Sequence, residues 1–466
     1  MDAPQTPTPT APPAPQSSVP IPPAIPTKTH WPLIIVMTVV GLIIVGGGIY
    51  FYVQTNSQTT LIDFFHSPNA TSTTPTTSTT TTPVTVTNTT LQYLTFQLFT
   101  YAAPLSAAGH DTPTPLDKKS LEKIIDDKVK NLGRGDGTAR QLGFIIGPLT
   151  LNHTDEELRG QIRSMFEIAE AKNVAVGFHI DDSMFWQNRG LTKDKKNIEW
   201  LDWQGTPNTG RELSWGARAK IAPQMCFNST AVVSEVSRVA RDVIGAEIKK
   251  GVDRLKTSGK EHLFAGVIAG WETQIGPDFE TKKPLGYCAL TNRGFSATHP
   301  PADIDREREL IVQEFIELWT KSLMDAGVPK EKIYSHVGAP PRKLYDMLKT
   351  QGVSFGFSEF AHFAPVPSAF GKYHSPGFSI YDRRVPQEIY DELTKNGNPA
   401  WALAEGISGN PSPDPKEQGG WEGWLAGLFN HGATVVNVFP VGTDSVAATT
   451  AFKKFLLGEK LVETAR

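Results

Sequence analysis

Two glutamates in this chain stand at the ends of apolar runs. Glu272 closes Leu263 to Glu272 (LFAGVIAGWE), and Glu405 closes Ala400 to Glu405 (AWALAE). Short runs of small and β-branched residues read as buried parallel strands. A carboxylate at the end of such a strand is costly unless it has a task or a partner. Two carboxyl groups across a scissile bond are what glycoside cleavage needs: one protonates the leaving oxygen, and the other attacks the anomeric carbon or activates water. Neither a metal nor a cofactor is required, and none is expected.

Other polar residues fall at strand ends and are expected to hold sugar hydroxyls: His179, Asp181 and Asp182 in the HIDD run, His336, Glu359 and Asn437. Glu359 is also the reserve member of the catalytic pair. The HIDD run admits a metal reading, because adjacent aspartates with a histidine bind a divalent ion in polysaccharide deacetylases. That chemistry needs a further H-x-x-x-H pair, which the sequence lacks, and His362 and His374 are spaced too widely. Aromatic residues supply stacking faces. Trp271 precedes Glu272, and the long connection 181–228 carries Trp186, Trp200, Trp203 and Trp215. Trp186 and Trp203 are the expected platforms, the alternative being a small core beneath the loop.

Eight strand patterns must position these residues: Leu91 to Tyr101, Gln141 to Gly147, Val174 to Ile180, Leu263 to Glu272, Ile333 to Val337, Val353 to Glu359, Ala400 to Glu405 and Thr434 to Pro440. Helical patterns lie between them. Thr154 and Glu157 form a capping box ahead of a helix to Lys172 with Leu158, Ile162, Phe166 and Ala169 on one face. Ser229 to Leu255, Asp305 to Leu323, Val385 to Leu393 and Phe452 to Leu457 show the same periodicity. Strand and helix in eightfold alternation predict a closed (β/α)8 barrel over 91–466, whose active site lies at the C-terminal ends of its strands.

The first ninety residues cannot belong to that barrel. Residues 1–30 are Pro-rich and read as a disordered tail. Trp31 to Val53 is uncharged, with aromatic residues at both ends. At about 20 residues needed to cross a bilayer, it reads as a transmembrane helix. Residues 54–90, dominated by Thr, Ser and Pro, read as an extended stalk with sequons at Asn69 and Asn88. Lys28 before the span, with no charge after it until Asp63, places the N-terminus in the cytoplasm and the barrel outside. There Cys226 and Cys288, the chain's 2 cysteines, could pair. A net charge of -3 with 39% hydrophobic residues gives no reason to expect nucleic acid as a partner.

With GWET around Glu272 and LAEG around Glu405, the stretch Leu91 to Arg466 resembles the clan of retaining (β/α)8-barrel glycoside hydrolases. In that clan the acid/base glutamate follows strand four and the nucleophile follows strand seven. The resemblance implies Glu272 as acid/base and Glu405 as nucleophile, with a poly- or oligosaccharide as substrate. The chain departs from the clan in two places. Trp271 stands where an asparagine usually contacts the sugar 2-hydroxyl. Ser358, Glu359 and Phe360 stand where strand six often carries an aromatic partner for the nucleophile. A glycan-binding or wall-associated barrel without chemistry is the competing expectation.

Overall fold

A computed structural model describes residues 90–99, 117–212, 220–338, 366–380, 385–406, 420–439 and 443–463. The tail 1–30, the apolar segment 31–53 and the stalk up to residue 89 lie outside the described residues. Among the described residues, no helix is long and apolar enough to cross a membrane.

Eight parallel strands form one sheet: β1 Gln92–Phe99, β2 Arg140–Leu149, β3 Ala175–Ile180, β4 Phe264–Ala269, β5 Ile333–Ser335, β6 Gly377–Ile380, β7 Trp401–Gly406 and β8 Ala433–Val438. Their spatial order is β5-β4-β3-β2-β1-β8-β7-β6. Parallel bridges from Tyr334 to Ser375 and from Val337 to Phe378 join β5 to β6. The sheet therefore closes on itself as a barrel and leaves no edge of unpaired backbone groups.

The alternation along each strand decides what faces inward. In β1, Leu94, Phe96 and Leu98 pack outward with the helix faces. Tyr93 turns inward to a lining that includes Ile145, Ala175, Ile268, Tyr334, Ala402 and Val435. The lower interior is thus apolar. Thr95 and Gln97 continue the inward row toward the C-terminal end, where the interior becomes polar. Glycine is required at Gly147, because a Cβ there would lie 2.7 Å from the Cβ of His179 and 2.6 Å from its carbonyl oxygen.

The helices follow the sequence periodicity. Asp155–Lys172 starts on the expected capping box: the Thr154 hydroxyl accepts from Glu157 N, and Glu157 reaches back to Thr154 N. Thr230–Arg238, a π-helical turn Val239–Gly245 and Ala246–Thr257 run on from one another. Ile304–Asp325, Gln387–Lys395 and Val446–Leu456 match the other periodic stretches. Lys118–Leu132 and Gly420–Phe429 are helices that the patterns did not single out.

Strand six is a correction. The place between β5 and β7 belongs to Gly377–Ile380, not to Val353 to Glu359, which lies outside the described residues. Gly-Phe-Ser-Ile follows a proline, is only 4 residues long and lacks an apolar run. Its pairing partners on both sides hold it as a strand in spite of its weak intrinsic pattern. Cys226 and Cys288, from the segments after β3 and β4, are buried free thiols that donate to Asn228 Oδ1 (3.7 Å) and to the Lys196 carbonyl (3.4 Å).

Candidate functional site

Glu405 faces the barrel interior because β7 carries an extra residue. Leu403 pairs with Phe378, but the next pair on β6 and β7 is Ser379 with Glu405, so Ala404 has no partner of its own. The same extra residue appears against β8, where Leu403 pairs with Val436 and Gly406 with Val438. A bulge of this kind re-aims the side chain that follows it. Leu403 packs outward and Ala404 inward. Glu405, which strict alternation would have sent outward among the helices, reaches the inner polar layer beside His179 and His336.

That layer is one connected set of hydrogen bonds. Asn437 Nδ2 donates to Gln97 Oε1 (2.9 Å) and to the Ala404 carbonyl (2.9 Å). Gln97 Oε1 is 3.0 Å from His179 Nδ1, and His179 Nε2 is 2.9 Å from His336 Nδ1. His336 Nδ1 also lies 3.1 Å from the Gly270 carbonyl, and its Nε2 lies 2.5 Å from Ser379 Oγ. The Ser379 hydroxyl in turn acts on the Glu272 carboxyl, lowering its pKa. Burial disfavours the imidazolium form, so His336 titrates at about 3, and burial followed by the His336 charge holds His179 well below the usual histidine range. Both rings are neutral.

Glu272 sits just past β4, with a left-handed backbone (φ 51°) and 8% exposure. Few residues other than glycine adopt that conformation, and it is found where surrounding structure enforces it. It turns the side chain onto the backbone of Gly338, where a Cβ would come within 2.5 Å of Glu272 Cγ and 2.6 Å of Oε1. Burial pushes the Glu272 carboxyl up to about 7, with the Ser379 hydroxyl pulling the other way when it donates to the carboxylate. A carboxyl that keeps its proton near neutrality is suited to general-acid work.

A second acidic cluster lies beside the first. Asp181 accepts from Met184 N (2.8 Å) and Ser183 N (3.1 Å), while its Oδ2 has no hydrogen-bond partner among the described residues. Thr273 donates to Asp182 Oδ2 at 2.5 Å. Burial and then the Asp182 charge push Asp181 up to about 7, and burial raises Asp182 as well. The buried Arg211 guanidinium draws both downward, and the two carboxylates in turn raise the Arg211 pKa against a larger lowering by burial.

Glu405, His179, His336 and Asn437 therefore share one layer, Glu272 lies beside it against Gly338, and Asp181 and Asp182 adjoin Glu272 through Thr273. Trp271 covers the layer: its ring is stacked on His179 with centroids 4.1 Å apart and an interplanar angle of 4°. Trp186 corrects an expectation. It is fully buried among apolar residues, and its indole donates to the Pro223 carbonyl at 2.9 Å. An indole enclosed on all sides cannot stack on a sugar, so the small-core alternative holds for this residue. Trp203 is half-buried and meets Tyr287 edge-on with centroids 5.0 Å apart. Glu359 and Trp215 lie outside the described residues.

Sequence reasoning passed over Gln97, Ser379, Thr273 and Arg211. Gln97 was within reach, as the polar member of the inward row Tyr93, Thr95, Gln97. Ser379 was lost with strand six, and Arg211 lies in a short antiparallel ribbon, Arg211–Glu212 with Lys220–Ile221, that carries no local signature. His179, His336 and Glu405 offer a donor set that would suit a divalent cation. His336 Nδ1 faces a backbone carbonyl, so that nitrogen carries hydrogen and Nε2 is the nitrogen of this ring that could ligate.

No protein-family model matches the chain, and no curated relative matches it. Among solved structures, the catalytic domain of β-amylase from Paenibacillus polymyxa is similar over 79% of this chain and 98% of its own, with a TM-score of 0.46 and 8% identity. The GH26 β-mannanase from Bacteroides ovatus is similar over 79% and 88%, with a TM-score of 0.31 and 12% identity. TcOYE with pHBA is similar over 79% and 90%, with a TM-score of 0.37 and 10% identity. Likeness of that degree carries no information about activity.

Proposed function

We propose that the barrel is a glycoside hydrolase that cleaves a poly- or oligosaccharide by double displacement, with Glu272 as acid/base and Glu405 as nucleophile. The observation that supports this reading is that strands four and seven of one barrel each end in a buried glutamate, with Glu405 turned inward beside His179 and His336. Glu272 follows β4, and Glu405 is aimed inward by the β7 bulge opposite Ser379, whose hydroxyl lowers the Glu272 pKa. Retained protonation suits Glu272 to deliver a proton to the leaving oxygen while Glu405 attacks the anomeric carbon. Deprotonated Glu272 would then take a proton from the water that hydrolyses the glycosyl ester. Asp181 and Asp182 border the site as sugar contacts, Trp203 supplies a stacking face for a sugar ring, and residues 31–53 anchor the barrel in a membrane with the N-terminus cytoplasmic.

The test is the anomeric configuration of the first-formed product, followed by NMR on a chromogenic glycoside panel. Retention supports double displacement, and inversion removes Glu405 as nucleophile. Glycan binding without turnover in the full chain would instead favour a non-catalytic barrel.

A further inference from the structure

Three ligand-bearing side chains meet inside the barrel from three strands: His179 on β3, Glu405 on β7, and His336 one residue past β5. All three are buried, and each offers a ligand atom within 4.8 Å of the other two. Among the described residues, no other group of histidine, cysteine and carboxylate side chains converges in this way. Two ligands of one ion, with bonds of about 2.1 Å at tetrahedral angles, stand about 3.4 Å apart, so side-chain shifts of about an ångström close the trio on an ion. Which nitrogen of a histidine can ligate is set by the hydrogen bond that the other one makes. A carbonyl oxygen only accepts, so a nitrogen facing one must donate. The Ala404 carbonyl holds the Asn437 amide nitrogen inward, where it also donates to Gln97 Oε1. Gln97 Nε2 donates to the Leu98 carbonyl, so its oxygen accepts from His179 Nδ1 at 3.0 Å, and His179 Nε2 is left bare. His336 Nδ1 donates to the Gly270 carbonyl at 3.1 Å, which leaves the Nε2 of that ring bare as well. Metal-bound histidines are held in this manner, with the second ring nitrogen donating to a partner that fixes tautomer and ring plane. Both rings are neutral, the form that ligates.

We propose that His179 Nε2, His336 Nε2 and the Glu405 carboxylate form a site for one divalent transition-metal ion, and that the bound ion silences Glu405. Two imidazoles and one carboxylate suit a borderline ion such as zinc or cobalt, whereas calcium and magnesium take oxygen ligands. As the side chains stand, the two bare nitrogens accept hydrogen bonds: His179 Nε2 from His336 Nδ1 (2.9 Å) and His336 Nε2 from the Ser379 hydroxyl (2.5 Å). Ligation exchanges these two for coordinate bonds and leaves the orienting bonds to Gln97 and Gly270 in place. The cation withdraws from Glu405 the charge with which a carboxylate attacks an anomeric carbon. Only this silencing rests on Glu405 as the nucleophile of the proposed function; the site itself stands on the ligand geometry.

The experiment is titration calorimetry of the full chain in detergent with zinc chloride. One ion per chain is expected, with a Kd of about 1 µM or tighter. Gln97→Leu, which removes only the orienting partner of His179, should weaken binding about tenfold, and His179→Gln, His336→Gln or Glu405→Gln about a hundredfold or more. No binding, or binding that survives all three ligand substitutions as an adventitious surface ion would, overturns the site. Calcium should not displace zinc, and displacement by calcium would overturn the ligand set. Cadmium-113 NMR of the wild-type chain, labelled with nitrogen-15 in histidine, gives the same answer without a variant that could misfold. One cadmium signal coupled to two Nε2 nitrogens is expected, and coupling to fewer than two histidines refutes the site. Neither readout requires turnover, so a chain that proves not to be a glycosidase can still bear the site out. On a proven substrate, zinc should lower kcat at least about tenfold in step with occupancy. Full turnover with zinc bound would overturn the silencing, while failure of zinc to bind leaves the glycosidase reading untouched.

Discussion

Two acidic clusters share the mouth of this barrel, equally buried and differently balanced. Asp181 and Asp182 face the Arg211 guanidinium and the Thr273 hydroxyl, so charge meets charge. Glu272 faces the neutral Ser379 and, beyond it, a neutral His336. A buried carboxylate is tolerated when a cation offsets it and is otherwise pushed to keep its proton. Arg211 thus draws the first cluster back toward its charged form, and Glu272 has a neutral hydroxyl in that place. Burial alone does not separate them, because Asp181 and Glu272 are both pushed to about 7. The counter-groups do.

The contrast is broken most severely at Glu405. Glu405→Ala should lower turnover by roughly 10⁴-fold or more, with partial rescue by azide as an inverted glycosyl azide. Near-normal turnover of a proven substrate would remove the assignment. Glu272→Gln should cost about 10²- to 10⁴-fold on substrates with poor leaving groups. In the wild type, kcat/KM should fall as pH rises through about 7, where Glu272 loses its proton, and the variant should lack that limb.

Gly338→Ala tests position without changing any charge. The added methyl falls within 2.5 Å of Glu272, so the carboxyl must move, and a loss of about ten- to a hundredfold in kcat is expected. A smaller effect belongs to Asp181. Its folded-state pKa is raised, so its contribution to stability is fully present below the ordinary carboxylate pKa and is lost as pH rises through about 7. Asp181→Asn should therefore raise Tm at pH 8 and leave it nearly unchanged below about pH 4. If Arg211 offsets the charge completely, the two pH values will show the same shift. The smallest effect is expected at Trp203→Ala, about 1 kcal/mol in sugar affinity through lost stacking, read by titration calorimetry.

Much of the barrel was legible in the residues. Seven strand patterns fall where strands occur, because a parallel strand covered on both faces must be apolar almost throughout. The capping box at Thr154 marked its helix start to the residue. Strand six was missed for the opposite reason: Gly377–Ile380 is short, and neighbours on both sides supply the pairing that its composition does not announce. Trp186 and Trp203 looked alike in a long connection, and only packing shows that one is enclosed and the other partly open.

By itself the chain determined the alternation of strand and helix and the placing of Glu272 just beyond the fourth strand, since periodicity and cost of burial are properties of local sequence. The tertiary structure decided the rest of the site. Glu405 points inward because Ala404 has no partner on either neighbouring strand. The proton order of the polar layer follows from two carbonyls contributed by different strand ends, Gly270 and Ala404. Register and hydrogen-bond direction arise between segments distant in the chain, and no single segment carries them.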